Sequence, residues 1–364
     1  MKFKISLLFF FLAIAAFSQN EVFFLKDTSD AFTIETIQNA NFHPVENQIL
    51  EKYSNTTFWF KVPAQQTEQD YIFRIIYERI HNADVYQGEK KLKKIANQRF
   101  LSYQFSRNKD VYVKINPKLH SYIPFELNSV TKSSEKENNY LLLNGFYYGF
   151  AFLVIIYNLC YSFLFKDNTF FYYALFLSTT TFGVFTMDGM LNFYNISRGL
   201  NDVIMVLNYI FLAFFASKFI NAYLFLDNYY PRVKRFSYVL GIAAILFGLL
   251  YLINNDFYFL LALGVVVFSL LLIYWVCAVT LFHKNVYIKI MVFAYPIILI
   301  SGIDYYIIKF LGISFINIDA LNIKIGAFLE MIILSIAVLY RMQSLKLEND
   351  LMRTEIIDYS KQVN

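Results

Sequence analysis

Glu330 is the residue whose placement says most about chemistry. It stands inside the apolar run Ile318–Tyr340, where an ionised carboxylate costs roughly 2.5–3.5 kcal/mol on insertion scales. It must be protonated, paired or turned to a wet cavity. That makes it either a switch whose protonation or partner changes between states, or one end of an interhelical hydrogen bond. Asp304 and Lys324 fall at similar depth in neighbouring apolar runs and could pair. Lys218, near the end of its run, can snorkel. Familiar catalytic patterns are missing. His43, His81, His120 and His283 are far apart and form no HExxH pair, and the 12 glycines form no phosphate-binding or dinucleotide-binding loop and no GxSxG. No catalytic residue, metal ligand or cofactor is therefore assigned, and the expectation is a non-enzymatic protein. Cys160 and Cys277 both lie in apolar runs, so the polar stretch Gln19–Asn138 has neither a disulfide framework nor a cysteine metal site.

The elements that would position these residues follow from composition. The chain has 364 residues, 57% hydrophobic and 16% charged, with 41 Phe and 29 Tyr. Soluble chains carry about 25% charged residues, so this balance points to a membrane protein and excludes a disordered or collagen-like one. A net charge of +5 spread along the sequence gives no footprint for nucleic acid. At the start, Lys2 and Lys4 precede the apolar run Ile5–Phe17, and Ala16-Phe17-Ser18 offers small residues for a cut before Gln19. This reads as a secretory signal peptide over 1–18, too short to span a bilayer.

From Gln19 to Asn138 short runs rich in aromatic and β-branched residues alternate with turn-formers: Val22–Leu25, Phe32–Ile37, Thr57–Val62, Tyr71–Tyr77, Asp84–Gln87, Asp110–Ile115 and Ile123–Leu127. The pattern predicts an all-β sandwich over 19–138. Trp59, Tyr77 and Tyr86 are candidates for stacking a sugar, though strand aromatics more often belong to a core. The lysines at 90, 91, 93 and 94 form either an anion-binding patch or a guard on a sheet edge. Thr131–Asn139 reads as a polar linker.

Seven apolar runs follow: Tyr140–Phe165, Phe170–Leu191, Val203–Leu224, Phe236–Ile253, Phe257–Phe282, Tyr287–Phe310 and Ile318–Tyr340. Each is long enough to cross a hydrocarbon core of about 30 Å, and a backbone in lipid must bond internally, so a seven-helix bundle over 139–342 is predicted. An exported amino-terminal domain and seven crossings put the carboxyl end in the cytosol. The charges agree: Lys166, Arg232, Lys234, Arg235, Lys284, Lys289 and Arg341 lie on the predicted inner side, against Arg198 and Lys309 outside. Gly145 and Gly149, four apart, would let the first helix approach a neighbour closely. Beyond Arg341 no Gly or Pro interrupts the chain, and Leu345, Asn349, Met352 and Ile356 continue a heptad seam from Met342 to Val363. Residues 343–364 thus form either a coiled-coil-like relay helix for a cytosolic protein or second copy, or an amphipathic helix on the bilayer surface.

Certain stretches carry a resemblance. Gly145-Phe-Tyr-Tyr-Gly149, Tyr157-Asn158-Leu159, Lys166-Asp167-Asn168, Tyr172-Tyr173 and Gly326-Ala-Phe-Leu-Glu330 through Arg341 resemble the bacterial seven-transmembrane receptors with diverse intracellular signalling modules. Phe58-Trp59-Phe60, Asn82–Tyr86 and Val111–Ile115 are similar to that family's extracellular domain. The resemblance implies an inner-membrane sensor whose outer domain is a jelly-roll-like sandwich for a small molecule or saccharide. It also implies an output module after the bundle. Here the sequence stops at Asn364, and Tyr340 stands where the family often has an acidic residue. The expected output is therefore a separate partner. A transporter or membrane enzyme with an accessory outer domain, or a truncated receptor acting as an assembly subunit, is the competing reading.

Overall fold

Alternation along one strand organises the first part of the chain. In Thr57–Val62, Phe58, Phe60 and Val62 enter one hydrophobic core while Trp59 joins another on the opposite face, as the two-residue period of a strand requires. The computed structural model describes residues 22–50, 56–65, 67, 69–117, 122–194, 196–313 and 320–363; the expected signal peptide lies outside them. The chain divides into two units, Met1–Glu137 and Asn138–Asn364.

The first unit has ten strands among its described residues: β1 (Val22–Asp27), β2 (His43–Val45), β3 (Gln48–Leu50), β4 (Thr57–Val62), β5 (Asp70–Ile75), β6 (Asp84–Gln87), β7 (Lys90–Lys91), β8 (Leu101–Ser106), β9 (Val111–Ile115) and β10 (Tyr122–Ser129). They form two antiparallel sheets, ordered β2-β1-β4-β9-β6-β7 and β3-β10-β5-β8. The sheets meet across an aromatic core. Phe60 lies 5.0 Å from Phe125 and 5.7 Å from Phe73, and the latter two rings stack at 5.5 Å.

Two expectations need correction here. Phe32–Ile37 is not a strand: the Asp27 carboxylate accepts the Ala31 and Phe32 amides at 3.2 and 3.1 Å and turns the chain out of β1. The segment instead packs Phe32, Ile34 and Ile37 over Trp59 and Tyr112 on the outer face of the six-stranded sheet. The linker expected at Thr131–Asn139 contains the boundary between the two units but is helical, part of a helix that begins at Val130. Glu137 in that helix is held by two buried arginines, with Arg74 at 3.0 Å and Arg99 at 2.5 Å.

Among its described residues the second unit has seven long apolar helices: α1 (Val130–Phe165, which starts within the first unit), α2 (Asn168–Met187), α3 (Arg198–Leu224), α4 (Pro231–Asn254), α5 (Phe257–Thr280), α6 (Val286–Leu311) and α7 (Ala320–Val363). Short polar joints start them. Asp167 caps α2 by accepting the Thr169 amide at 2.8 Å, and Asp256 does the same for α5 through Tyr258 at 2.9 Å. Glycines fix two close approaches. A Cβ on Gly264 would fall 2.3 Å from the Tyr306 ring, whose hydroxyl donates to Leu261 O at 2.7 Å, and one on Gly326 would meet Ile297 at 3.3 Å. Gly145 and Gly149 behave otherwise: nothing lies within 4 Å of either added Cβ. They face outward because α1 is the least enclosed helix, with 11% of its apolar window buried against 50% for α7.

Candidate functional site

The three aromatic candidates of the first unit separate by burial. Trp59 and Tyr77 are each 1% exposed, so neither offers a ring face to a sugar. Strand β4 directs Trp59 into the sheet covering, and Tyr77, two residues past β5, enters the sandwich core. Tyr86 is half-buried, with the Lys91 ammonium 5.9 Å above its ring and Lys91 itself paired to Asp84. Trp59 and Tyr86 share the cluster on the outer face of the six-stranded sheet, whereas Tyr77 lies in the sandwich core.

In the helical unit the polar residues form a ladder along α7. Lys324 lies near its start, where the ammonium sits 2.7 Å from Asp188 and donates to Asn144 at 2.6 Å. The Tyr148 hydroxyl also donates to Asp188. Asp188 after α2 and Asn144 of α1 thereby converge on one cation while Tyr148 of α1 supports the carboxylate, so the buried pair has hydrogen bonds on both sides, which such a pair needs. Asp304, proposed from sequence as the partner, is buried in α6. Asp188 and Asn144 were missed, although Asp188-Gly189 is a legible turn signal.

Glu330 occupies the middle of the ladder. It is 1% exposed, and its Oε1 has no hydrogen-bond partner among the described residues. Three buried tyrosines, Tyr147 of α1, Tyr173 of α2 and Tyr295 of α6, lie within its electrostatic reach. Tyr173 donates to the Met331 carbonyl at 3.2 Å, beside Glu330 on α7. Gly326, one turn earlier, brings α7 against Ile297 and Ser301 of α6. Asn158 is also buried and donates to Val154 O at 2.8 Å, whereas Tyr157 is exposed and bonds Tyr161 at 2.6 Å.

Arg341 is the lowest rung. Its side chain is almost fully buried, with Nη1 2.7 Å from the Asp167 carboxylate. Nη2 donates to Ala222 O at 2.9 Å and Nε to Tyr223 O at 3.3 Å. These are carbonyls of the last turn of α3, where a cation meets the negative helix end. The guanidinium lies 4.7 Å from the ring of Phe225, the left-handed residue that ends α3. Tyr223 braces the arrangement by donating to Tyr287 O at 2.8 Å. One side chain of α7 thus ties the start of α2 to the end of α3, beside a polar cavity of about 500 Å³ that Leu345 also lines. Burial pushes the Asp167 carboxyl up, but the Thr169 amide and the Arg341 charge outweigh it and hold it below the ordinary carboxylate range.

Past this clamp α7 continues unbroken to Val363. Leu345 is half-buried, but Asn349, Met352 and Ile356 are exposed, Ile356 by 68%. The seam read from sequence therefore lies open along its described length. No group of three or more metal-ligating side chains occurs among the described residues.

Residues 140–341 match the family described as 7TM diverse intracellular signalling, and residues 19–140 match that described as 7TMR-DISM extracellular 2. No curated protein matches the chain.

Proposed function

The chain belongs to the 7TM diverse intracellular signalling family, a multi-pass membrane receptor with an extracellular amino-terminal domain, and from that premise we propose how it signals. The β-sandwich, residues 19–138 behind a signal peptide at 1–18, takes up a small molecule or saccharide outside a bacterial inner membrane. The ligand binds two arrangements of the bundle unequally, which is the only way it can shift them. The change leaves through α7, whose cytosolic end (343–364) engages a signalling protein or a second copy. The single observation that carries this reading is the Arg341 clamp at the root of an unbroken helix. A helix held there by one ion pair and two carbonyls has a defined position to lose, and an open apolar seam beyond it can report that loss.

Glu330 is the internal switch in this reading. A buried carboxyl with an oxygen lacking a partner gains most from a second arrangement that supplies a donor or water. Replacing it with Gln keeps the shape and removes the ionisable group. The Glu330→Gln variant should insert normally while changing the separation of fluorophores placed at Arg232→Cys and Met352→Cys. An unchanged separation in both Glu330→Gln and Glu330→Leu would refute the switch.

A further inference from the structure

A second cavity, of about 390 Å³, lies where α7 leaves the bundle, against the start of α6. Its charged lining consists of two lysines, Lys284 in the α5–α6 joint and Lys289 in the first turn of α6, with His283, Asn285, Gln343 and Ser344 as further polar groups. Glu348, one turn past Ser344, is exposed and outside the lining. Two other cations at this end are paired within the chain, Arg341 with Asp167 at 2.7 Å and Lys234 with Asp227 at 2.5 Å. Lys284 and Lys289 instead lie over the rings of Tyr229 and Phe282, at 5.7 and 5.8 Å, without a carboxylate partner among the described residues. Helix α6 also begins here without a side-chain cap, and the Asn285 side-chain amide donates to the Tyr287 hydroxyl at 3.0 Å. The positive end of the helix therefore adds to the field of the lysines.

An apolar strip accompanies the cavity. On α6, Val286, Phe293 and Ile300 recur every seven residues and are 61%, 70% and 50% exposed; on the adjoining α7, Ile336 and Tyr340 are exposed too. A cationic pocket at the end of a greasy strip has the chemistry of one molecule class. We propose that it binds an anionic phospholipid of the leaflet on the α7-exit side, the phosphate at Lys284 and Lys289 and the acyl chains along the α6–α7 pair. The assignment needs only that the chain spans a bilayer and does not depend on the signalling mechanism. Free phosphate shares the headgroup chemistry but makes no use of the strip.

The test is lipid binding to the full chain in detergent, read by native mass spectrometry with phosphatidylglycerol, phosphatidylethanolamine or inorganic phosphate. Wild type should hold phosphatidylglycerol at least about tenfold more tightly than phosphatidylethanolamine. The double variant Lys284→Gln/Lys289→Gln should lose roughly 30-fold, about fivefold per cation, and the control Lys234→Gln should lose nothing. Lipid-free unfolding midpoints check that the variants fold, and the wild-type lipid comparison requires no variant. Equal binding of the two lipids, or a double variant that binds like wild type, overturns the site. Phosphate binding as tight as phosphatidylglycerol overturns the lipid assignment.

Discussion

Replacing Arg341 with Gln should release the root of α7. The substitution removes an ion pair at 2.7 Å and leaves two carbonyls of the last turn of α3 without their donors. Breaking a buried pair by removing one partner costs about 3–5 kcal/mol. Here the Asp167 side chain is 23% exposed and keeps the Thr169 amide, so the cost falls below that range and about 2 kcal/mol is a working figure. That is a factor of roughly 30 in the equilibrium between clamped and released root. A released fraction on the order of 1% would rise to roughly a quarter. Spin labels at Arg232→Cys and Met352→Cys, in a Cys160→Ser background reconstituted into nanodiscs, read this as a second distance population. The reasoning also requires coupling: in Asp167→Asn/Arg341→Gln the effects should fall short of additive, since both remove one interaction. A single unchanged distance distribution in Arg341→Gln, with an unaltered unfolding midpoint, would refute the clamp.

The same carboxylate sets a pH limit. Asp167 is held below its ordinary 3.8, so its contribution is complete above that value and fades as pH falls through the lower folded one. The label distance should stay constant from about pH 8 to about pH 5 and broaden only below about pH 4; broadening near neutrality would contradict the assignment. In the first unit, Glu137→Gln strips the counter-charge from two guanidiniums that are 7% and 5% exposed, and should destabilise that unit by about 2–4 kcal/mol. Unfolding followed by the fluorescence of buried Trp59 measures it, with exposed Glu135→Gln as the control.

Helices were more legible than sites. Seven runs of sufficient length and apolarity define seven spans whatever their packing, because lipid permits few alternatives to a helix. Strands were less legible. Phe32–Ile37 has the composition of a strand whether it pairs with a neighbour or covers a sheet face, and the Asp27 side chain decides for the cover. Conversely, β8 carries a plain alternation of Leu101, Tyr103 and Phe105 that was open to reading. The cost of charge in lipid singled out Glu330 and Lys324 in advance. It did not reveal Asp188 and Asp167, whose partners stand 136 and 174 residues further along the chain, a relation set only by how the helices pack. The outward face of Gly145 and Gly149 was equally hidden, since spacing alone does not say whether a neighbour is present.

The account depends on the amino-terminal domain and the α7 tail lying on opposite sides of one membrane. Fusing green fluorescent protein or alkaline phosphatase after Asn364 tests this most directly, because the first fluoresces in the cytosol and the second is active only when exported. Bright fluorescence with inactive phosphatase is the predicted result. Active phosphatase with no fluorescence would place the tail outside, beside the sensor domain, and contradict the relay.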